Sequence, residues 1–155
     1  MRFHLIDRID ELEPRRAVRG RKLTSHLETY WRDEGRGPEM PAPLVLEALC
    51  QAGSWLVMGS TGLRRRAALL SVDTVRFAGP VRPGDVLVMS GRVESMGDDT
   101  AVLSGDVTVG GRTVLTAADI MCALIPTEDL EEPAAVRRMY ERLTRGVPVA
   151  SEVAA

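Results

Sequence analysis

Aromatic residues are scarce in this sequence. Tryptophan, tyrosine and phenylalanine together make up 4% of its 155 residues, which argues against the aromatic platforms that stack on single-stranded nucleic acid. The net charge is −2 at pH 7, so no overall field attracts nucleic acid or an anionic membrane. We therefore expect neither nucleic acid nor a membrane as a partner.

Cysteine and histidine are also rare, with two of each. No closely spaced pair of them suggests a metal site, and we interpret Cys50 and Cys122, each inside an apolar run, as buried free thiols. The N-terminus lacks the apolar core of a signal peptide, and no stretch reaches the ~20 apolar residues that span a bilayer. These observations favour a cytoplasmic protein without a metal ion.

Hydrophobic periodicity predicts an α+β fold in a chain of one-domain length. A nearly all-apolar helix is expected from Pro41 to Ser60, and such a helix must be buried on most sides. A polar loop with a helical turn around residues 26–31 precedes it. A second helix, with one apolar stripe, is expected at residues 131–145, and the remaining elements are strands at residues 3–12, 15–23, 67–77, 86–93, 100–109 and 113–124. Strands, one buried helix and then a run of antiparallel strands give the α+β order.

Three polar residues interrupt the apolar helix. Glu47, Gln51 and Ser54 follow one another at spacings of four and three, so they share one face. A buried carboxylate is costly, and one reason to keep it is general acid–base chemistry. The alternative is a helix with one wetted edge, where Glu47 merely contacts solvent.

Three segments resemble the β-hydroxyacyl-carrier-protein dehydratases. The first, residues 40–51, begins Met40-Pro41-Ala42 and continues to Glu47 and Gln51. The second, residues 75–85, contains an Arg-Phe pair and ends in Pro-Gly-Asp, and the third is residues 5–14. Their order and spacing agree with the family across residues 3–124, so the chain is expected to adopt the hotdog fold, a curved antiparallel sheet around a long central helix.

The resemblance also implies a mechanism and its partners. Dehydratases of this kind are dimers with active sites at the subunit interface, and an acyl carrier protein brings the substrate on a phosphopantetheine arm, with no other cofactor. Glu47 matches the glutamate that helps the hydroxyl leave. Ala42 matches the residue whose N–H holds the thioester carbonyl, and Pro43 and Gln51 are expected to contact substrate beside it.

The family's histidine is missing. Counting back from Met40 without gaps places Asp33 at its position, and His26 lies seven residues earlier. Three readings stay open: a lyase that uses Glu47 with Asp33 or His26, a silent subunit that pairs with an active homologue, and an acyl thioesterase. The sequence therefore does not decide between a homodimer and a heterodimer.

Basic residues follow the central helix as Arg64, Arg65 and Arg66. Because carrier proteins are commonly acidic, this cluster is a candidate docking patch, and a solvated turn is the alternative. We divide the chain into a hotdog domain at residues 1–125 and a C-terminal helix with its tail at residues 126–155.

Overall fold

Two short strands open the chain. The computed structural model describes residues 3–147, in which β1 (Arg8–Glu13) and β2 (Ala17–Leu23) form an antiparallel hairpin. The predicted first strand begins at residue 3, which is wrong by five residues. The physical reason is that Leu5 N–H and the Phe3 carbonyl bond to the side chain of Gln51 instead of to a neighbouring strand.

The polar loop contains a second, very small hairpin that the sequence analysis missed. β3 (Arg32–Asp33) pairs with β4 (Pro38–Glu39), and the expected helical turn is limited to a hydrogen-bonded turn at residues 26–27. Gly35 and Gly37 lie at φ +100° and +90°, backbone conformations that glycine adopts readily. The two glycines, which favour a loop by composition, here make a tight turn between paired strands.

The central helix, α1 (Ala42–Ser60), lies against one face of the large sheet. It begins directly after Pro41, and the chain turns away at Gly62 and Leu63, both at positive φ. Ten of its residues are buried: Val45, Ala48, Leu49, Ala52, Gly53, Trp55, Leu56, Val57, Met58 and Ser60. By length and composition alone α1 is long and apolar enough to cross a membrane, but its packing on the sheet accounts for that composition. The cytoplasmic location stays a prediction.

The sheet has six strands in the order β1-β2-β6-β7-β8-β5, and each neighbouring pair is antiparallel. The four later strands form where they were predicted, and three of them continue beyond their alternating segments. They are β5 (Arg65–Phe77), β6 (Val86–Met96), β7 (Thr100–Val109) and β8 (Arg112–Pro126). β5 is an edge strand of 13 residues, with Leu69, Leu70 and Phe77 at least half exposed. A long exposed apolar edge of this kind is a template for pairing with another chain.

A second helix follows the sheet. After a 3-10 turn (Thr127–Asp129), α2 (Pro133–Leu143) packs with its predicted apolar stripe inward. Val136 and Leu143 are buried in the same core as α1, and Met139 and Tyr140 pack against that core. The domain boundary after residue 125 stays a prediction, and residues 148–155 of the expected tail lie outside the described part of the chain.

Candidate active site

A cavity of about 400 Å³ lies between α1, the sheet and α2. Leu49, Leu103 and Ile120 contribute apolar walls, and Ala135, Val136 and Met139 of α2 close one side. The volume falls within the range of small-molecule sites, which are mostly apolar with a few polar groups. The polar groups of this cavity come mainly from the exposed face of α1 and from the first residues of the chain.

Glu47 stands at this cavity with the rest of the predicted polar stripe, Gln51 and Ser54. The Glu47 side chain is exposed in the single chain and its Oε1 accepts a hydrogen bond from Gln51 Nε2 at 3.1 Å. The wetted-edge interpretation therefore describes the isolated subunit. A second chain placed over this face would withdraw the carboxylate from water.

Gln51 ties the start of the chain to α1. Its Oε1 accepts the backbone N–H of Leu5 at 2.7 Å, and its Nε2 donates to the Phe3 carbonyl at 3.0 Å. His4 lies between these two bonded residues and lines the same cavity as Glu47. The strand predicted at residues 3–12 includes His4, because a contact spanning 46 residues of chain leaves no local signal.

The two cysteines line the same cavity and are both free thiols. Burial, followed by the nearby charge of Glu47, raises the pKa of Cys50 to about 11. Burial also raises the pKa of Cys122. Both thiols therefore stay protonated near neutral pH, and neither is suited to act as a nucleophile.

The start of α1 opens into a different cavity, of about 520 Å³. Ala42 and Pro41 line it together with Phe77 from the far end of β5. The first N–H groups of a helix have no partner within the helix, so the Ala42 N–H is a suitable donor to a substrate carbonyl. Pro43 is exposed and is not among the residues that line this cavity.

The two candidates for the missing histidine do not reach the cavity of Glu47. Asp33 Oδ1 accepts the N–H groups of Gly35 and Gly37 at 2.8 and 3.1 Å, so this carboxylate stabilises the β3–β4 turn. His26 is exposed in the turn at residues 26–27. Neither residue lines the cavity that holds Glu47.

The arginine cluster is divided between two surfaces. Arg64 and Arg65 line a groove of about 580 Å³ with Arg15, and Arg64 Nε donates to the Thr61 carbonyl at 3.1 Å. Arg66 points to the opposite face of β5, as strand alternation requires, where it lines the Glu47 cavity and pairs with Glu131. The three residues therefore do not form one patch.

Across residues 3–147, no group of three or more His, Cys, Asp or Glu side chains is arranged to hold a metal ion. The arrangement instead combines an exposed carboxylate, an imidazole and an apolar cavity. Such a set of groups suits proton transfer to and from a bound substrate.

Comparison with known proteins places this geometry in context. Residues 1–118 match the FabA-like domain family. The 3-hydroxyacyl-acyl-carrier-protein dehydratase FabZ of Roseiflexus sp. (strain RS-1) is 37% identical over 124 residues, covering 79% of this chain and 86% of the relative. FabZ of Solibacter usitatus (strain Ellin6076) is 33% identical over 135 residues, covering 86% of this chain and 82% of the relative.

Solved structures share the fold. The protein smu.793 of Streptococcus mutans, bound to acetyl CoA, superimposes with a TM-score of 0.63 at 18% identity, covering 79% of this chain and 92% of that one. The dehydratase heterocomplex ApeI:P of Xenorhabdus doucetiae gives a TM-score of 0.62 at 13% identity, covering 88% and 89%. At these identities the structural matches show the fold alone, and the predicted hotdog fold is confirmed.

Proposed function

The chain belongs to the FabA-like family of 3-hydroxyacyl-acyl-carrier-protein dehydratases, and on that premise we propose that it removes water from β-hydroxyacyl thioesters. An acyl carrier protein presents the substrate on a phosphopantetheine arm, and no further cofactor takes part. The observation that carries the proposal is the carboxylate of Glu47 at an apolar cavity of about 400 Å³.

The elimination needs three groups. A base takes the α-proton, the C–H electrons form the new double bond, and the β-hydroxyl leaves as water after protonation by the Glu47 carboxylic acid. Negative charge develops on the thioester oxygen, where an N–H donor at the start of a helix stabilises it. Ala42 supplies that donor, and alanine in place of the family's glycine retains the N–H.

Two chains are needed to bring these groups together. Glu47 and the start of α1 open into different cavities of one chain, and β5 connects them, with Leu69 at the first cavity and Phe77 at the second. If two β5 edges pair antiparallel with the two-fold axis at Asp73, midway between Leu69 and Phe77, Leu69 lies opposite Phe77 of the partner subunit. Each Glu47 cavity then adjoins the partner's helix start, which completes the site.

A second candidate is a heterodimer in which this chain provides only part of the site. The observation that favours it is Asp33, which occupies the family's histidine position while its Oδ1 is bound to the Gly35 and Gly37 N–H groups. A homologous subunit with the histidine would then supply the base across the β5 edge.

Turnover of a β-hydroxyacyl thioester, followed by absorbance of the enoyl product, tests the proposal. We expect wild-type protein to form enoyl thioester and Glu47→Gln to lose about 10²–10⁴-fold in kcat. Glu94→Gln removes a carboxylate of a surface ion pair far along β6 and serves as the control. Activity that appears only with a histidine-bearing homologue would select the heterodimer, and release of free thiol would indicate a thioesterase.

Docking of the carrier protein is proposed at Arg64 and Arg65. Their groove also contains Arg15, and a basic surface steers an acidic partner in a salt-dependent way. The double variant Arg64→Glu/Arg65→Glu should weaken binding of the carrier protein at low salt and have less effect at high salt. Unchanged affinity at low salt would remove this surface from the proposal.

A further inference from the structure

We propose that His4 is the general base of the elimination and replaces the histidine missing from the family's usual position. The inference rests on the proposed dehydratase function and assigns its unidentified base. The imidazole then comes from the start of the chain, on the same side of the site as Glu47, and not from the loop before the central helix.

The cavity is the first observation that supports this assignment. His4 and Glu47 both line it, whereas His26 and Asp33 line neither this cavity nor the cavity at the helix start that a partner chain would place beside it. The chain has two histidines, and both lie in the described residues. His26 sits on an exposed turn, and Asp33 is occupied by two backbone N–H groups. His4 is therefore the histidine that shares the cavity with the catalytic carboxylate.

Local geometry holds His4 at that position. The amide of Gln51 bonds to the residues on both sides of it, at 2.7 Å to Leu5 N and 3.0 Å to the Phe3 carbonyl oxygen. Leu5 and Ile6 are 1% and 4% exposed, so they anchor the segment in the core. His4 itself is exposed, and its imidazole remains accessible to a substrate at the cavity.

The same amide connects the base to the acid. Gln51 Nε2 also donates to Glu47 Oε1 at 3.1 Å, so one side chain positions both the segment that carries His4 and the carboxylate. Positioning of this kind lowers the entropic cost of reaching the transition state. Gln51 is accordingly a positioning residue for the pair.

The proton balance closes within this half of the site. The unprotonated nitrogen of the His4 imidazole takes the α-proton, the C–H pair becomes the C=C bond, and the C–O bond breaks as Glu47 protonates the hydroxyl. The products are enoyl thioester and water, leaving an imidazolium and a carboxylate. Return of the proton from His4 to Glu47, directly or through water, restores the starting state without a net gain or loss of protons.

Three measurements on the purified full-length protein test the assignment. The first is turnover of a β-hydroxyacyl thioester by wild type, His4→Ala, His4→Gln and His26→Ala. The second is exchange of the α-protons of a saturated acyl thioester in D₂O, followed by proton NMR, which reports removal of the α-proton without loss of water. The third is recovery of turnover in His4→Ala on addition of imidazole.

We expect His4→Ala and His4→Gln to lose about 10²–10⁴-fold in kcat, with exchange lost in parallel and turnover partly restored by imidazole in the alanine variant. His26→Ala should retain both activities. Circular dichroism and thermal melting check that each variant is folded, and the exposed position of His4 predicts that all are.

The outcomes separate the two proposals. Active wild type with equally active His4 variants would overturn the role of His4 and leave the dehydratase function intact. Wild type that forms no enoyl product alone, but does so with a histidine-bearing homologue, would overturn His4 as the base and select the heterodimer. Wild type that is inactive under both conditions would overturn the dehydratase function itself.

Discussion

Gln51→Glu is a sharp test of the contacts that organise the site, because it replaces the amide nitrogen with oxygen at nearly unchanged volume. The new side chain retains an acceptor for Leu5 N–H but loses the donor to the Phe3 carbonyl and to Glu47. It also places two carboxylates at the separation that now holds a hydrogen bond of 3.1 Å. The start of the chain and Glu47 should therefore both be displaced.

The expected magnitude follows from these contacts. Loss of the bond to the Phe3 carbonyl costs about 1 kcal/mol, and two charges at about 4 Å in a water-like environment repel by about 1 kcal/mol. The free energy of unfolding should fall by about 2 kcal/mol, and for a chain of this size the melting temperature should fall by about 4–8 °C. Turnover should fall by more than the loss of folded protein explains, because Glu47 and His4 both lose their positioning.

Differential scanning calorimetry measures the first effect and enoyl formation measures the second. Gln51→Met is the comparison without an added charge. It loses the acceptor for Leu5 N–H as well as the bond to the Phe3 carbonyl, so it should be destabilised by a similar ~2 kcal/mol, but its loss should not depend on salt as the charge repulsion in Gln51→Glu does. If Gln51→Glu melts and turns over like wild type, the hydrogen bonds of Gln51 do not hold the site together.

Three further predictions concern the packing of the sheet, the size of the cavity and the Cys50 thiol. Gly105→Ala should abolish folding or destabilise by several kcal/mol, because the new Cβ would lie 2.4 Å from Ser90 O, whereas Gly97→Ala has 3.8 Å to its nearest neighbour and should melt like wild type. Ala135→Leu fills part of the cavity from α2, so assays over a series of acyl chains should show a shorter upper limit with short chains unaffected. Cys50, with its pKa raised to about 11, should react with a thiolate-directed reagent at pH 7.5 much more slowly than a peptide thiol of ordinary pKa, and the rate should rise as the pH is increased toward 11.

The fold was largely predictable from the sequence because its elements carry strong local signals. The apolar run after Pro41 predicts α1, and β-branched alternation predicts the four later strands. The β3–β4 hairpin was missed because its strands have two residues each, too few for any periodicity. The start of β1 was misplaced because a side chain 46 positions away takes its backbone partners.

The site was predictable only in part, for the same reason. Glu47, Gln51 and Ser54 share a helical face by spacing, and the structure brings all three to one cavity. The candidates for the second catalytic group came from counting along the loop, which cannot show that the Asp33 carboxylate faces its own turn. His4 gave no signal, since its proximity to Glu47 depends on the tertiary contact through Gln51.

In the proposed dimer, Glu47 of one chain works with the helix start of the other. Two variants divide these roles: Glu47→Gln removes the acid, and Ala42→Pro removes the N–H donor. The proline fits because the first helical turn tolerates it, and Pro41 at ψ 132° already has the conformation that precedes proline.

Co-expression of these two variants with different tags, followed by purification and measurement of enoyl formation, tests whether the site is shared between chains. Each variant alone should be inactive, and the mixture should recover about one quarter of wild-type turnover per site, because random pairing makes about half of the dimers mixed and each mixed dimer has one intact site. A mixture that stays as inactive as its components, while mixed dimers are recovered through both tags, would contradict a site shared between chains.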